Sequence, residues 1–316
     1  MKPSLTFTSF IRNISKTYND FSLVGKLLFW FAVFLLVIFL MRPWKREGKE
    51  GFQQSESYIL KNGSDIYDGF YVDIYDDLVF NSIKNVYEVG EIINQTSPTH
   101  ESRILDVGSG TGHHVAELKS RGYNVEGIDV SPDMVRKAKE NYPDSQFQTG
   151  DIMTVNFENG SFTHILCMYF TLYYIKDKRQ FFKRCFDWLS PGGYLVVHVV
   201  NREMFDPILP PGNPLLIVSP QRYAKERITQ TQIVFDDMQY SSHFDLDTEK
   251  QLAIFREKFK HKESDRVREN EHILYMETDE AIASMGQDVG FILDAKIDLI
   301  RAHYEYQYLF VFFKPT

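Results

Sequence analysis

Cysteine is nearly absent from this 316-residue chain, with Cys167 and Cys185 the only two. Two thiols cannot build a disulfide framework or a zinc site of the CxxC kind, so the chain suits a reducing compartment and no metal is expected. Basic charge is also short, with 35 Lys and Arg against 43 Asp and Glu and a net charge of -8. The shortage is uneven. Residues 1–50 carry eight Lys/Arg against three Asp/Glu, which leaves -13 on the rest of the chain. A surface that acidic is poorly suited to a phosphate backbone, and nucleic acid is not expected as a partner. Internal repeats and low-complexity tracts are missing. At 43% hydrophobic and 15% aromatic the composition is that of a folded protein with a sizeable core.

Long apolar runs are missing everywhere but one place. Leu27 to Met41, LLFWFAVFLLVIFLM, has no charge, and extending it back to Phe21 gives 21 residues interrupted only by Lys26. A bilayer core needs about 20 apolar residues in a helix, and a lysine near one end can reach the headgroups. Residues 21–41 are therefore expected to be a transmembrane helix, with 1–20 as an N-terminal tail and 42–57 as a charged linker. A cleaved signal peptide is the rival reading, but some 26 residues precede the run and no small-residue cleavage site follows it. Arg42, Lys45, Arg46 and Lys49 crowd the C-terminal edge, which places the remainder of the chain on the cytosolic side.

Residues 58–316 read as one α/β domain. Tyr67, Tyr71 and Tyr75 fall four apart, as on one helix face, and a second helix is expected over 83–95. From Arg103 short apolar runs alternate with amphipathic stretches, the pattern of βαβ units on a parallel sheet. The expected strands are RILDV, NVEGIDV, SQFQT, FTHILCM and GYLVVHVV. Helices are expected over 113–121, over 132–141 behind Ser131 and Pro132, and over 177–189, ended by SPGG at 190–193. The alternation stops after Asn201. About 201–276 reads as an antiparallel β insertion or lid, with QTQIVFDD, QYSSHFDLD and ENEHILYME among three or four strands. A helix over 278–289 and the runs FILDAKIDLI and YQYLFVFFK close the chain as an antiparallel hairpin at a sheet edge.

The chemistry concentrates at strand ends. LDVGSGTG at 105–112 follows a predicted strand and opens a predicted helix, so that backbone N–H groups can approach a ligand at a helix N-terminus. Its glycines fall as GxGxG and not as the dinucleotide GxGxxG, with Asp106 just ahead of them. The next strand ends at Asp129, 17 residues after Gly112, where a carboxylate can accept from both hydroxyls of a ribose. The third ends at Gly150-Asp151, where Asp151 can take an exocyclic amine.

In these motifs, over about residues 65–200 plus the closing hairpin, the chain resembles the class I S-adenosylmethionine-dependent methyltransferases. The resemblance implies a Rossmann-like doubly wound seven-stranded sheet and S-adenosyl-L-methionine as cofactor. It implies that Gly108, Ser109, Gly110 and Gly112 pass under the methionine part, with Asp106 beside them. Asp129 with Val130 would bind ribose, and Asp151 with Ile152 adenine. The Asp/Asn-Pro-Pro-Tyr/Phe motif of nucleic-acid amino-methyltransferases is absent; CMYF stands at 167–170 instead. A small-molecule acceptor fits better, and the chain loosely resembles the amino-sugar N-methyltransferases. That likeness implies that Tyr71 or Tyr75 closes over the cofactor, although packing of aromatics on the core accounts for them equally well. Cys167 reads as a small cofactor-side residue with no base to make it a nucleophile. Methyl transfer needs positioning first and a base only for some acceptors. His198, late in the fifth strand, and His272, in the lid, are the candidate bases, with Tyr75 a further candidate catalytic residue; a structural role competes for each. His113 and His114 are expected on a helix surface, and Tyr173 and Tyr174 beside the acceptor. Besides a small-molecule methyltransferase, a membrane-tethered protein methyltransferase and a catalytically silent cofactor-binding module remain open.

Overall fold

The computed structural model describes residues 22–41, 57–207 and 225–316. The chain divides into two compact units, Met1–Gly51 and Phe52–Thr316. In the first, α1 (Leu23–Met41) is one 19-residue helix. Its side chains are described as far as Phe34, and Leu23, Leu27, Leu28, Trp30, Phe31 and Phe34 are all exposed. Among the described residues, no helix is long and apolar enough to cross a membrane. The expected tail at 1–20 and the basic cluster from Arg42 to Lys49 lie outside the described residues.

The second unit starts with β1 (Tyr58–Asn62), α2 (Gly69–Val79) and α3 (Ser82–Thr96). Asp68 caps α2 by accepting from the Tyr71 N–H, and Asn81 caps α3 in the same way. Tyr67 precedes α2, where one helix face had been expected to carry all three tyrosines. The rings nevertheless meet, Tyr67 to Tyr71 at 5.7 Å and Tyr67 to Tyr75 at 6.3 Å. Then follow β2 (Arg103–Val107), α4 (His113–Ser120), β3 (Asn124–Asp129), α5 (Pro132–Asn141), β4 (Gln146–Thr149), β5 (Phe162–Cys167), α6 (Thr171–Tyr174), α7 (Lys178–Trp188) and β6 (Leu189–Val200). Ser131 caps α5 with Pro132 in its first turn, as the sequence predicts. β6 starts earlier than expected. Ser190–Gly193 belong to the strand, which pairs Leu189 with Phe162 and shifts register before Tyr194.

Two sheets result. The larger has the order β11-β12-β6-β5-β2-β3-β4, where β11 (Ile292–Asp298) and β12 (Gln307–Phe313) form the expected hairpin antiparallel to β6. The strands β6, β5, β2, β3 and β4 run parallel. The inner strands are covered on both faces, so they read as apolar runs; β2 is buried at four of its five residues. One apolar cluster, with Leu195, Val197, Phe182 and Phe312, fills one side of this sheet and a second, with Ile104, Val115, Val196 and Val311, the other.

The smaller sheet has the order β1-β10-β9-β8-β7, with β7 (Gln230–Val234), β8 (Met238–Asp247), β9 (Leu252–His261) and β10 (Val267–Tyr275) antiparallel in sequence. The insertion is therefore not self-contained, because β1 pairs parallel with β10. A third apolar cluster joins Tyr240 and Phe259 of this sheet to Ile66, Tyr71, Ile74 and Leu78 around α2. Helix α8 (Asp279–Val289), capped by Thr278, leads back to the hairpin.

Candidate active site

β2 ends at the glycine loop, and the loop geometry follows from where its amides point. The N–H groups of Gly108 and Ser109 both donate to the Ile128 carbonyl, and that of Gly110 donates to Asp129 Oδ2 at 2.9 Å. The expectation of free amides facing a ligand is thus corrected, since the three amides tie the loop to the end of β3. What the loop offers is closeness. Gly108 and Gly110 have φ of +67° and +53°, and both line a cavity of about 440 Å³. A Cβ on Gly110 would meet nothing nearer than 4.0 Å and would project toward Tyr75, so a side chain there would fill the cavity. Gly112 lies outside the cavity lining and instead packs on Phe147 and Ala138 at the start of α4. The Ser109 side chain also points elsewhere, over Gly127 of β3.

Asp129 completes this wall. Its Oδ1 accepts from the Ser131 N–H and its Oδ2 from the Gly110 N–H, both at 2.9 Å. Each oxygen keeps a lone pair, which suits a ligand with two adjacent hydroxyls. Burial raises its pKa, against the two backbone N–H groups that favour the ionised form. Val130, Asp151 and Ile152 line the same cavity, with Asp151 exposed and its Oδ1 held by the Met153 N–H. Asp106 is buried beside the loop with no hydrogen-bond partner on either carboxylate oxygen. Burial pushes it up to about 7, against the pull of His114. Asp106 lies outside the cavity lining, just before Val107 and Gly108, which do line it; a buried, unpartnered carboxylate so placed is suited to a cationic ligand. A cofactor with a ribose, a sulfonium and an α-ammonium group fits these residues.

The opposite wall is aromatic. Tyr67, Tyr71 and Tyr75 come from in and before α2, Tyr169, Phe170 and Tyr174 from the segment after β5, and Phe244, Phe255 and His272 from the smaller sheet. Helix α6 joins the two walls. A Cβ on Gly108 would lie 2.4 Å from the Thr171 methyl carbon, and one turn later the Tyr174 hydroxyl is 2.8 Å from His272 Nδ1. His272 Nε2 is 2.8 Å from Glu257 Oε2. Glu257, wholly buried, also accepts from Tyr240 (2.9 Å), Asn270 (3.2 Å) and Tyr71. Burial is the largest single influence and would raise its pKa, but His272 together with the bonds from Tyr71 and Asn270 outweighs it and the carboxyl sits below its usual range.

The candidate bases thus separate. His272 and Tyr75 line the cavity, whereas His198 does not. His198 is wholly buried, its Nδ1 lies 2.6 Å from the Tyr169 carbonyl oxygen, and its Nε2 lies 3.0 Å from Gln307 Oε1. Burial and the Lys84 cation hold it at about 4, so it is neutral and has no free nitrogen for a substrate. Cys167 likewise lies outside the lining, in the core between sheet and helices, where burial pushes its thiol up. Tyr174 reaches the cavity as expected; Tyr173 is core, its oxygen accepting from the Val200 N–H. His113 is half-buried, not on an open surface: it bonds to Tyr142 at 2.6 Å and stacks on Phe80. His114 pairs with Glu88 at 3.1 Å.

Sequence reading missed Glu257, Thr171 and Asp76. Asp76 accepts from the Thr111 hydroxyl at 2.6 Å and so pins α2 to the glycine loop. Glu257 carried a legible signal, because Ala253, Phe255, Glu257 and Phe259 alternate along one strand face and put a carboxylate among apolar residues.

A family model described as a methyltransferase domain matches residues 105–197, from the end of β2 into β6. The chain carries a methyltransferase domain. Among curated relatives of this domain, the demethylmenaquinone methyltransferase of Chlorobaculum parvum is 33% identical over 112 residues, which are 34% of this chain and 46% of that protein. The dTDP-3-amino-3,4,6-trideoxy-alpha-D-glucopyranose N,N-dimethyltransferase of Streptomyces venezuelae is 26% identical over 42% of this chain and 55% of its own length. The chain thus spans about half the length of the curated relatives it matches. Among solved structures, an S-adenosylmethionine-dependent methyltransferase from Clostridium acetobutylicum superposes with a TM-score of 0.60, at 16% identity, over 78% of this chain and 98% of that one. At that identity the likeness is one of fold. The α/β Rossmann-like sheet is thus the fold of that S-adenosylmethionine-dependent methyltransferase.

Proposed function

We propose that the protein transfers a methyl group from S-adenosylmethionine to a nitrogen or oxygen of a small molecule. One observation carries this reading: the glycine loop and Asp129 line a cavity that is otherwise largely aromatic, and the unpartnered Asp106 is buried just before that loop. Asp129 would hold the ribose, Asp151 and Ile152 the adenine, and Asp106 would offset positive charge near the methionine part. The bound cofactor supplies an activated methyl group on a sulfonium. The chain's own residues orient the acceptor against it and exclude water, and such positioning accounts for much of the acceleration in a transfer of this kind. The smaller sheet contributes Phe244, Phe255, His272 and Leu274 to the cavity, which favours a small acceptor over a peptide groove.

A membrane anchor over residues 21–41 is part of the proposal. What supports it is the sequence: Leu27 to Met41 carries no charge, and only Lys26 interrupts the run back to Phe21. With the catalytic unit facing the cytosol, protease added to sealed right-side-out vesicles should spare residues 52–316. Digestion from outside overturns the topology, and recovery of the full chain in the soluble fraction after carbonate washing overturns the anchor.

The activity is tested with the full chain in detergent micelles, by calorimetry with S-adenosylmethionine and by S-adenosylhomocysteine release over a panel of small acceptors. Binding with turnover of a panel member is the expected result. Tight binding with no release from any acceptor, small molecule or peptide, points to a silent binding module, and release with peptides alone to a protein methyltransferase.

A further inference from the structure

The lid-side wall of the cavity is apolar except where one chain of hydrogen bonds reaches it. Tyr174 on α6 meets His272 Nδ1 on β10 at 2.8 Å, and His272 Nε2 meets Glu257 Oε2 on β9 at 2.8 Å. The directions along this chain are fixed. An ionised Glu257 only accepts, so His272 Nε2 carries the proton and Nδ1 is left as an acceptor for the Tyr174 O–H. Tyr67 in turn bonds to the Tyr174 oxygen. Glu257 is wholly buried behind the imidazole and locked by Tyr240 and Asn270, and Asn270 by Arg268 at 2.9 Å. Arg268, itself buried, reaches both oxygens of Asp68 (2.7 and 2.9 Å) and the Ile66 carbonyl (2.7 Å). A carboxylate, an imidazole and a cavity-lining phenol in this order form the oriented base of acid–base catalysis, with one more link.

Resting on the methyltransferase reading, we propose that Glu257, His272 and Tyr174 form a proton relay that takes the proton from a hydroxyl on an aromatic ring as that oxygen is methylated. The acceptor oxygen's electron pair forms the new bond to the methyl carbon, and the S–C bond leaves its pair on sulfur. The acceptor's proton passes to the Tyr174 oxygen while the Tyr174 proton passes to His272 Nδ1, so the positive charge lost from sulfur ends on an imidazolium against Glu257. Two features select the acceptor class. The lid-side wall is built from rings, among them Phe170, Phe205, Phe244 and Phe255, which favour a flat apolar body. Among the described residues, the lid-side lining carries no carboxylate and Glu257 lies behind His272, so none of them would hold an aliphatic ammonium in the open. The groups facing His272 from its neighbours are Glu257 on β9, Tyr174 on α6, and Tyr67 and Tyr71, whose rings lie 6.3 and 6.1 Å from the imidazole.

The test uses the full chain in micelles with labelled S-adenosylmethionine, hydroquinone and catechol as probes, and n-propylamine as the amine control. Methyl incorporation into a hydroxyl probe is expected. Tyr174→Phe and His272→Phe should each lower kcat at pH 7 about 10²-fold or more, with cofactor affinity within about twofold of wild type. The His272→Phe rate should then climb about tenfold per pH unit toward the probe's own pKa, where the wild-type rate is flat. Wild-type and variant profiles that run parallel overturn the relay, as does transfer to propylamine with none to either hydroxyl probe. A second readout needs no acceptor: nitrogen NMR of the S-adenosylhomocysteine complex should show His272 protonated at Nε2 only, with an Nδ1 shift that moves in Tyr174→Phe. A proton on Nδ1 at pH 7 overturns the relay. A wild-type chain that binds no cofactor fails differently, because it overturns the methyltransferase reading and the relay with it.

Discussion

The two walls of the cavity are built on different principles. The cofactor wall is local in sequence: the glycine loop, Asp129 and Asp151 sit at the ends of three successive parallel strands, and backbone amides hold the key carboxylate. The lid wall is assembled from far-apart segments. Arg268 grips Asp68 from 200 residues away, and Tyr174 meets His272 across 98. A wall made by backbone at strand ends is a property of the fold, whereas a wall made by side chains on a separate sheet can change its chemistry without disturbing the first. If that contrast is right, damage to each wall should have its own signature.

The largest expected effect is at the joint. Phe259 is wholly buried in the smaller sheet, with ring neighbours Phe70, Tyr71 and Tyr240 at 5.6, 6.1 and 5.1 Å. Phe259→Ala should cost about 3–5 kcal/mol in denaturant unfolding. A cost under about 1 kcal/mol would mean that the smaller sheet does not hold α2 in place. Replacing the insertion by a short linker should likewise impair cofactor binding as well as turnover, because α2 and its tyrosines lose their support.

Next is a pH effect confined to the cofactor wall. Asp106 has a folded pKa raised by burial to about 7, so between about pH 4 and 7 the folded state holds a proton that the unfolded state releases. The unfolded state then binds fewer protons, and the stability of the cofactor-free protein should fall as pH rises through that window, by at most about 1.4 kcal/mol per unit. Asp106→Asn should remove this slope, as read from unfolding midpoints at pH 5 and 8. Equal slopes in both proteins would reject the assignment.

Asp129→Ala is expected to weaken S-adenosylmethionine binding by about 1.5–3 kcal/mol, the usual range for hydrogen bonds to a charged group, with little change at the lid wall. Unchanged affinity by calorimetry would show that the ribose does not lie on this carboxylate. Smallest is Gly108→Ala. The left-handed backbone at φ +67° and the 2.4 Å approach to Thr171 should together cost about 1–2 kcal/mol of stability, and should also lower kcat by displacing α6 and Tyr174. An alanine variant with wild-type midpoint and kcat would disconnect the two walls.

The same contrast explains what the sequence reveals. The parallel strands, the capped helix α5 and the order Gly108, Asp129, Asp151 follow from short-range rules of period, capping and spacing, and the structure matches them nearly residue for residue. β9 is legible as a strand, since Arg256, Lys258 and Lys260 alternate with Phe255, Glu257 and Phe259, but that Glu257 meets His272 depends on the pairing of β9 with β10, which the sequence does not show. His198 illustrates the opposite error. Its place late in β6 suits a catalytic base, but only the pairing with β12 reveals that Gln307 closes off its second nitrogen. Cys167 is similar, since the last residue of a strand can face the core as readily as the ligand edge.

The pairing of β1 with β10 also sets an order of events on the ribosome. Tyr58 donates to Glu269, 211 residues further on, so the first strand emerges long before its partner exists. At about 5–20 residues per second that interval is about 10–40 s, and chain closure over such a separation is slow. During it, β2 to β5 with the glycine loop and Asp129 are already outside the tunnel. The nascent chain therefore exposes the tyrosines of α2 with no sheet to cover them, and that apolar helix is where a chaperone would be needed during synthesis.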